Sequence, residues 1–175
     1  MLPDKTGIDA CKSALCCIYN ENLNAIRLKE ELFSDAYFMR LALAEASHAF
    51  EKDEVPVGAV VVVNKTIIAR AHNLTETLLD VTAHAEMQAI TAAANSIGSK
   101  YLDECTMFVT LEPCLMCAGA LYWAQLGRLV YGASDPKKGY TLNTKPVLHP
   151  KTEVISGILA KESEDLLKAF FQKKR

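Results

Sequence analysis

The spacing of hydrophobic positions changes several times along the chain, and each change marks an element. From Ser34-Asp35 to about residue 51, Phe38, Leu41, Ala42, Glu45 and Ala49 recur at three- and four-residue steps. That is the period of one helix face, and Ser34-Asp35 supplies a capping start. Leu41, Ala42 and Ala49 are read as facing inward, and the small side chains suit close packing on a sheet. His48 on this helix is read as surface or half-buried. Val55-Pro56-Val57-Gly58 then leads into an unbroken apolar run over residues 59–63, which predicts a strand buried on both faces. Asn64-Lys65 makes a two-residue turn, and residues 66–69 return as the hairpin partner. Gly58 permits a close backbone approach, read either as room for a ligand or as a simple bulge.

Residues 71–80 form a loop. A second helix, with Thr82 as its cap, continues through Met87, Ala89, Ile90, Ala93 and Ala94 and stops near Gly98. Residues 105–111 read as a strand, and Pro113 opens a third helix that reaches about Ala124. Another apolar strand covers residues 128–131. Asp135 to Gly139 is a turn, and residues 140–152 are a loop. A short strand over 153–156 precedes a last helix from about Ile158 to Lys174. Its apolar side carries Leu159, Leu166, Leu167, Phe170 and Phe171. Strands separated by helices require a parallel part of the sheet, the hairpin adds an antiparallel part, and helices cover both faces. The expected class is α/β.

Composition narrows the picture. With 175 residues, half of them hydrophobic and 23% charged, the chain has the profile of one soluble domain with a real core. No apolar run approaches the ~18 residues of a membrane span, and the first residues lack a signal-peptide pattern. Residues 1–33 do not share the rhythm of the rest and are read as an extension, with the domain proper over 34–175. Six cysteines without framework spacing argue for a reduced, cytoplasmic setting. Cys105 is read as a small buried hydrophobe, and Cys16-Cys17 adjacency is poor metal spacing. The net charge of −2 means that any nucleic-acid contact must come from a local basic patch.

The chemistry concentrates between Thr82 and Cys117. His84-Ala85-Glu86 is followed, after 26 residues, by Pro113-Cys114-Leu115-Met116-Cys117. One His and two Cys supply three ligands of zinc type, and a tetrahedral ion keeps its fourth position for water. His84 and Glu86, two apart, converge only at a helix N-terminus, so two helix N-termini are expected to aim at one ion. The positive ends of those helices favour thiolates. Glu86 is the candidate proton carrier. A redox Cys-x-x-Cys pair would leave the His-x-Glu without a role. A closed structural zinc would need a fourth ligand that no nearby motif supplies.

This H-x-E then P-C-x-x-C pattern is the signature of zinc nucleobase deaminases. From about Asp35 to Arg175 the chain resembles the cytidine-deaminase-like superfamily, and within it the bacterial tRNA-specific adenosine deaminases. Besides the metal motif, the resemblance rests on Glu54-Val55-Pro56-Val57-Gly58-Ala59-Val60, Asn73, Leu111-Glu112 and Gly127-Arg128. It extends to Tyr131-Gly132-Ala133 with Asp135, Gly157-Ile158-Leu159, and Phe170-Phe171 with the basic tail. The resemblance implies a three-layer α/β/α sandwich with a five-stranded mixed sheet, one Zn²⁺ per subunit and a homodimer. It implies conversion of adenosine to inosine at the wobble position (34) of a tRNA anticodon. By the same resemblance Asn73 holds the purine edge, and Ala85, Pro56 and Val57 line the base pocket. Asp135 and Lys137 contact the anticodon stem-loop, and the basic tail meets phosphates. Tyr122-Trp123-Ala124 resembles instead the matching stretch of guanine deaminases, so deamination of a free base or nucleoside (guanine, cytosine or cytidine) is the alternative.

Overall fold

Five strands form the middle of the structure, a computed structural model that describes residues 32–175. The expectations for residues 1–31, including those for Cys11, Cys16 and Cys17, lie outside the described residues. In chain order the elements are α1 (Asp35–Glu51), β1 (Gly58–Val63), β2 (Thr66–His72), α2 (Ala85–Ile97) and β3 (Thr106–Leu111). They continue with α3 (Leu115–Trp123), β4 (Arg128–Ala133), a 3₁₀ turn at Tyr140–Leu142, β5 (Glu153–Ser156) and α4 (Ala160–Lys173). The sheet order is β2-β1-β3-β4-β5. β1 pairs antiparallel with β2 and β3, whereas β3–β4 and β4–β5 are parallel. The sheet is therefore mixed and five-stranded, as the alternation of elements and the resemblance together led us to expect.

The two faces follow from the period-two rule for strands. Val60, Val62, Phe108 and Val130 point to one face, where they pack with Phe38, Met39 and Ala42 of α1. Ala59, Val61, Met107, Val109, Leu129 and Tyr131 point to the other, against Ala85, Ala89 and Ala93 of α2 and Leu121 of α3. Each fully buried Val or Leu contributes about 1.5–3 kcal/mol, so residues 59–63 are fixed in register by both layers. Asn64 and Lys65 both adopt positive φ, 48° and 63°, as a two-residue hairpin turn between right-twisted strands requires.

Several expectations change in detail. On α1 the buried stripe is Phe38, Met39, Ala42, Glu45, Ala46 and Ala49, with Leu41 only half-buried. Gly58 is not at a bulge. A Cβ there would sit 2.1 Å from the Ala42 carbonyl oxygen and 2.4 Å from the Ala46 nitrogen, so the glycine lets α1 press onto β1. The irregularity in the hairpin falls between Val61 and Val62 instead. Asp35, read as part of a cap, makes a two-pronged bond to Arg128, 2.8 Å on each prong, and Arg128 also reaches Glu153 at 3.3 Å. This ties α1 to β4 and β5. On α4, Phe170 is buried and Phe171 is exposed. No helix among the described residues is long and apolar enough to cross a membrane.

Candidate active site

Two strand-to-helix junctions on the α2/α3 face build the site. His84 is the N-cap of α2 and Cys114 the N-cap of α3, both in extended backbone, and neither side chain caps its own helix. Released from that duty, both side chains look over the helix ends toward each other. Thr82, expected to cap α2, instead donates to Asp80 through its amide (2.8 Å) and hydroxyl (2.7 Å). Cys117, three residues into α3, completes the group. His84 Nδ1 lies 3.7 Å from Cys114 Sγ and 3.5 Å from Cys117 Sγ. A tetrahedral zinc with ~2.3 Å to sulfur and ~2.05 Å to nitrogen has N···S edges of about 3.5–3.6 Å. Both imidazole–sulfur separations thus lie close to those that such an ion requires, and the three ligand atoms fall within 4.8 Å of one another.

The three ligand side chains and Glu86 perturb one another's protonation. Cys114 is pulled down to about 4, first by a hydrogen bond from the Cys117 thiol and then by His84, against the cost of burial. Cys117 is pushed up, because it donates that bond, is buried and faces Glu86. His84 is raised chiefly by its bond with Cys114. Glu86, in the first turn of α2, is almost wholly buried, and burial raises its carboxyl above the ordinary carboxylate range. A divalent ion neutralised by two thiolates would release the proton that the two sulfurs share.

Around this centre the hairpin's open end brings up the other sequence-predicted residues. The Asn73 amide N–H donates to the Val57 carbonyl at 3.0 Å, and Gly58 pairs with His72. Val57 and Ala85 belong to one buried cluster, and Pro56 is buried beside Val57. Asp135 and Lys137 sit on the loop after β4. Asp135 Oδ1 accepts from the amides of Lys137 (2.9 Å) and Lys138 (3.1 Å), so the aspartate shapes its own loop. Gly139 bridges to Cys114, which brings this loop to the start of α3.

Two residues with no assigned role in the sequence reading prove central to the architecture. Glu54 is fully buried and accepts from Asn73 Nδ2 (3.0 Å), Thr75 Oγ1 (3.3 Å), the Glu76 amide (3.2 Å) and the Thr77 amide (2.7 Å). Burial alone would raise its carboxyl, but these bonds hold it below the ordinary value. Glu112 plays the matching part for the loop after β4. The signal was present: each is an acid beside an apolar strand, followed within two residues by proline, and a buried carboxylate must find partners. By contrast, the Glu45–His48–His72 group is satisfied within itself. Glu45 Oε2 lies 3.5 Å from His48 Nδ1 and 3.4 Å from His72 Nδ1, Lys52 Nζ covers His72 Nε2 at 3.1 Å, and Arg70 stands 3.9 Å from Glu45. Two neighbouring cations oppose an ion there.

A mixed sheet with His, Cys and Cys at two helix N-termini defines a deaminase of the cytidine-deaminase-like fold. A family model of MafB19-like deaminases matches residues 33–175. The tRNA-specific adenosine deaminase of Agrobacterium fabrum is 46% identical over 144 residues, covering 79% of this chain and 95% of that protein. A solved tRNA:A34 deaminase, studied for A-to-I editing at the wobble position of transfer RNA, shares 45% identity. It covers 74% of this chain and 98% of that one, with a TM-score of 0.70. The guanine deaminase of Bacillus subtilis is 38% identical, covering 56% of this chain and 63% of its own, with a TM-score of 0.54. The chain belongs to the tRNA-specific adenosine deaminase family.

Proposed function

We propose that this protein hydrolyses adenosine to inosine at the wobble position of a tRNA anticodon, with zinc held by His84, Cys114 and Cys117. The observation that carries the reading is the convergence of one imidazole on two sulfurs, at 3.7 and 3.5 Å, beside the buried carboxylate of Glu86. Zinc bound there would acidify water from ~15.7 toward ~7 and so supply hydroxide at neutral pH. Glu86 is positioned to hold the proton released by water, pass it to a ring nitrogen and then protonate the departing ammonia. Its raised pKa suits a group that must both take and give a proton. Asn73, its amide orientation fixed by Glu54 and Thr75, would hold the base edge, and Ala85, Pro56 and Val57 would wall the pocket. Water kept out by those walls strengthens each of these contacts.

Asp135 and Lys137, on a loop anchored beside Cys114, would meet the nucleotides of the anticodon stem-loop. A base in that loop leaves its stack at lower cost than one in a duplex. Leu115, Met116, Tyr122 and Trp123 expose an apolar strip of α3, which fits the homodimer partner that we assign to it. We read the domain as residues 34–175 and the protein as cytoplasmic, where its tRNA substrate resides.

Deamination of a free base or nucleoside is the second reading, favoured by the 38% identity with a guanine deaminase. One experiment separates them. Purified zinc-loaded protein is incubated in parallel with an anticodon stem-loop bearing a wobble adenosine, free guanine, cytidine and adenosine. Inosine in the stem-loop alone is expected; xanthine from guanine with an unedited stem-loop would overturn the reading.

A further inference from the structure

Glu112 is 3% exposed, yet among the described residues it neither belongs to the metal group nor forms an ion pair. Its carboxylate instead takes three hydrogen bonds from a single loop. Oε2 accepts from the Asp135 amide at 3.0 Å, and Oε1 accepts from the Thr141 amide at 3.0 Å and the Thr141 hydroxyl at 2.7 Å. The loop is further pinned where the Tyr140 amide donates to the Pro113 carbonyl at 3.0 Å. Gly139 is part of the same device. A Cβ on it would stand 2.3 Å from Glu112 Oε1, so any larger residue would have to displace the carboxylate from its place under the loop. The two anchor points, Asp135 and Thr141, bracket Lys137 and Lys138.

We propose that Glu112 is a positioning residue that fixes the Asp135–Thr141 loop as a preformed wall for the nucleic-acid substrate. The inference rests on the functional reading above, in which this loop meets the anticodon. A buried carboxylate with two oxygens matches two backbone donors six positions apart, and neither loop end can leave without stranding a charge away from water. Preorganisation of this kind is felt in substrate capture, because a loose loop must be ordered by the incoming RNA. The hydrolytic step, carried by residues on α2 and α3, is left alone.

The test uses full-length zinc-loaded protein and the variants Glu112→Gln and Thr141→Ala. Gln keeps the shape and one acceptor but turns an N–H donor toward one of the loop's own donors. For Glu112→Gln, KM for the stem-loop should rise about tenfold while kcat stays within about threefold and zinc content is unchanged. Thr141→Ala, which removes only the hydroxyl bond and cannot unfold a buried site, should raise KM by about two- to fourfold. Amide hydrogen exchange at Asp135 and Thr141 should quicken in Glu112→Gln. An unchanged KM in both variants, or a fall in kcat that tracks lost zinc, would overturn the proposal. Should the wild-type protein leave the stem-loop unedited, the functional reading fails, and unchanged exchange at the two amides would separately refute the anchoring role of Glu112.

Discussion

Glu54 and Glu86 are both buried carboxylates within a few residues of the site, and their surroundings treat them in opposite ways. Glu54 meets two backbone amides, a hydroxyl and the Asn73 side chain, and is held below its ordinary pKa. Glu86 has its own amide and the Cys117 thiol for company and is pushed upward by burial. The contrast follows from counting donors. A carboxylate surrounded by donors is a permanent charge and organises the chain around itself. One denied them binds a proton more tightly than an ordinary carboxylate, which lets it take one up and hand it on. The same residue type thus provides a scaffold at one position and a reagent at the other.

The sharpest way to break that comparison is Glu86→Gln. It should lower turnover at least about a thousandfold while zinc content and thermal stability hold, since a strained buried acid is replaced by a neutral amide. Normal turnover would remove Glu86 from the proton path. Glu54→Gln should do the reverse in kind. It should cost about 2–3 kcal/mol of stability, read by denaturant titration, because hydrogen bonds to a buried charge are lost. Activity should fall mainly through the loosened Asn73. The pH dependence sharpens this point. The folded pKa of Glu54 lies below its ordinary 4.5, so its contribution is complete above that value and fades as pH falls through the folded one. Acid unfolding of Glu54→Gln should therefore begin from a lower plateau and lose less between about pH 5 and 3. An unaltered acid limb would mean that Glu54 is not held as a charge.

The smallest effect is expected at the tail. Lys173 and Lys174 approach Asp53, and their ammonium groups lie over the Phe50 and Phe170 rings at 5.7 and 5.5 Å. Both cations are partly spent within the chain. Deleting residues 173–175 should weaken stem-loop binding by only about two- to fivefold and lower its salt slope by ~1. Loss of binding altogether would show that the tail dominates capture.

The metal motif and the order of elements were legible because they rest on spacing and period, which are local. Residues 59–63, the Asn64-Lys65 turn and the Gly98 stop (φ 67°) each carry their reason within a few positions. What escaped depends on contacts distant in sequence. Gly58 is glycine because of Ala42 and Ala46, sixteen and twelve residues earlier. Glu112 answers to Asp135 and Thr141, and Asp35 to Arg128. Thr82 had the right chemistry for a cap but stands two positions too early, and Asp80 engages it. The helix begins on His84 instead, whose side chain is thereby free.

Because β3 and β4 run the same way, the segments that leave their ends emerge side by side: Glu112-Pro113 to the metal helix, Ser134-Asp135 to the loop, joined by the Glu112 amide on the Ala133 carbonyl at 2.8 Å. Reactivity and recognition are thus housed in adjacent exits of one sheet. A lineage could lengthen or reshape the second exit, and so change which molecule is admitted, while inheriting the reacting centre intact.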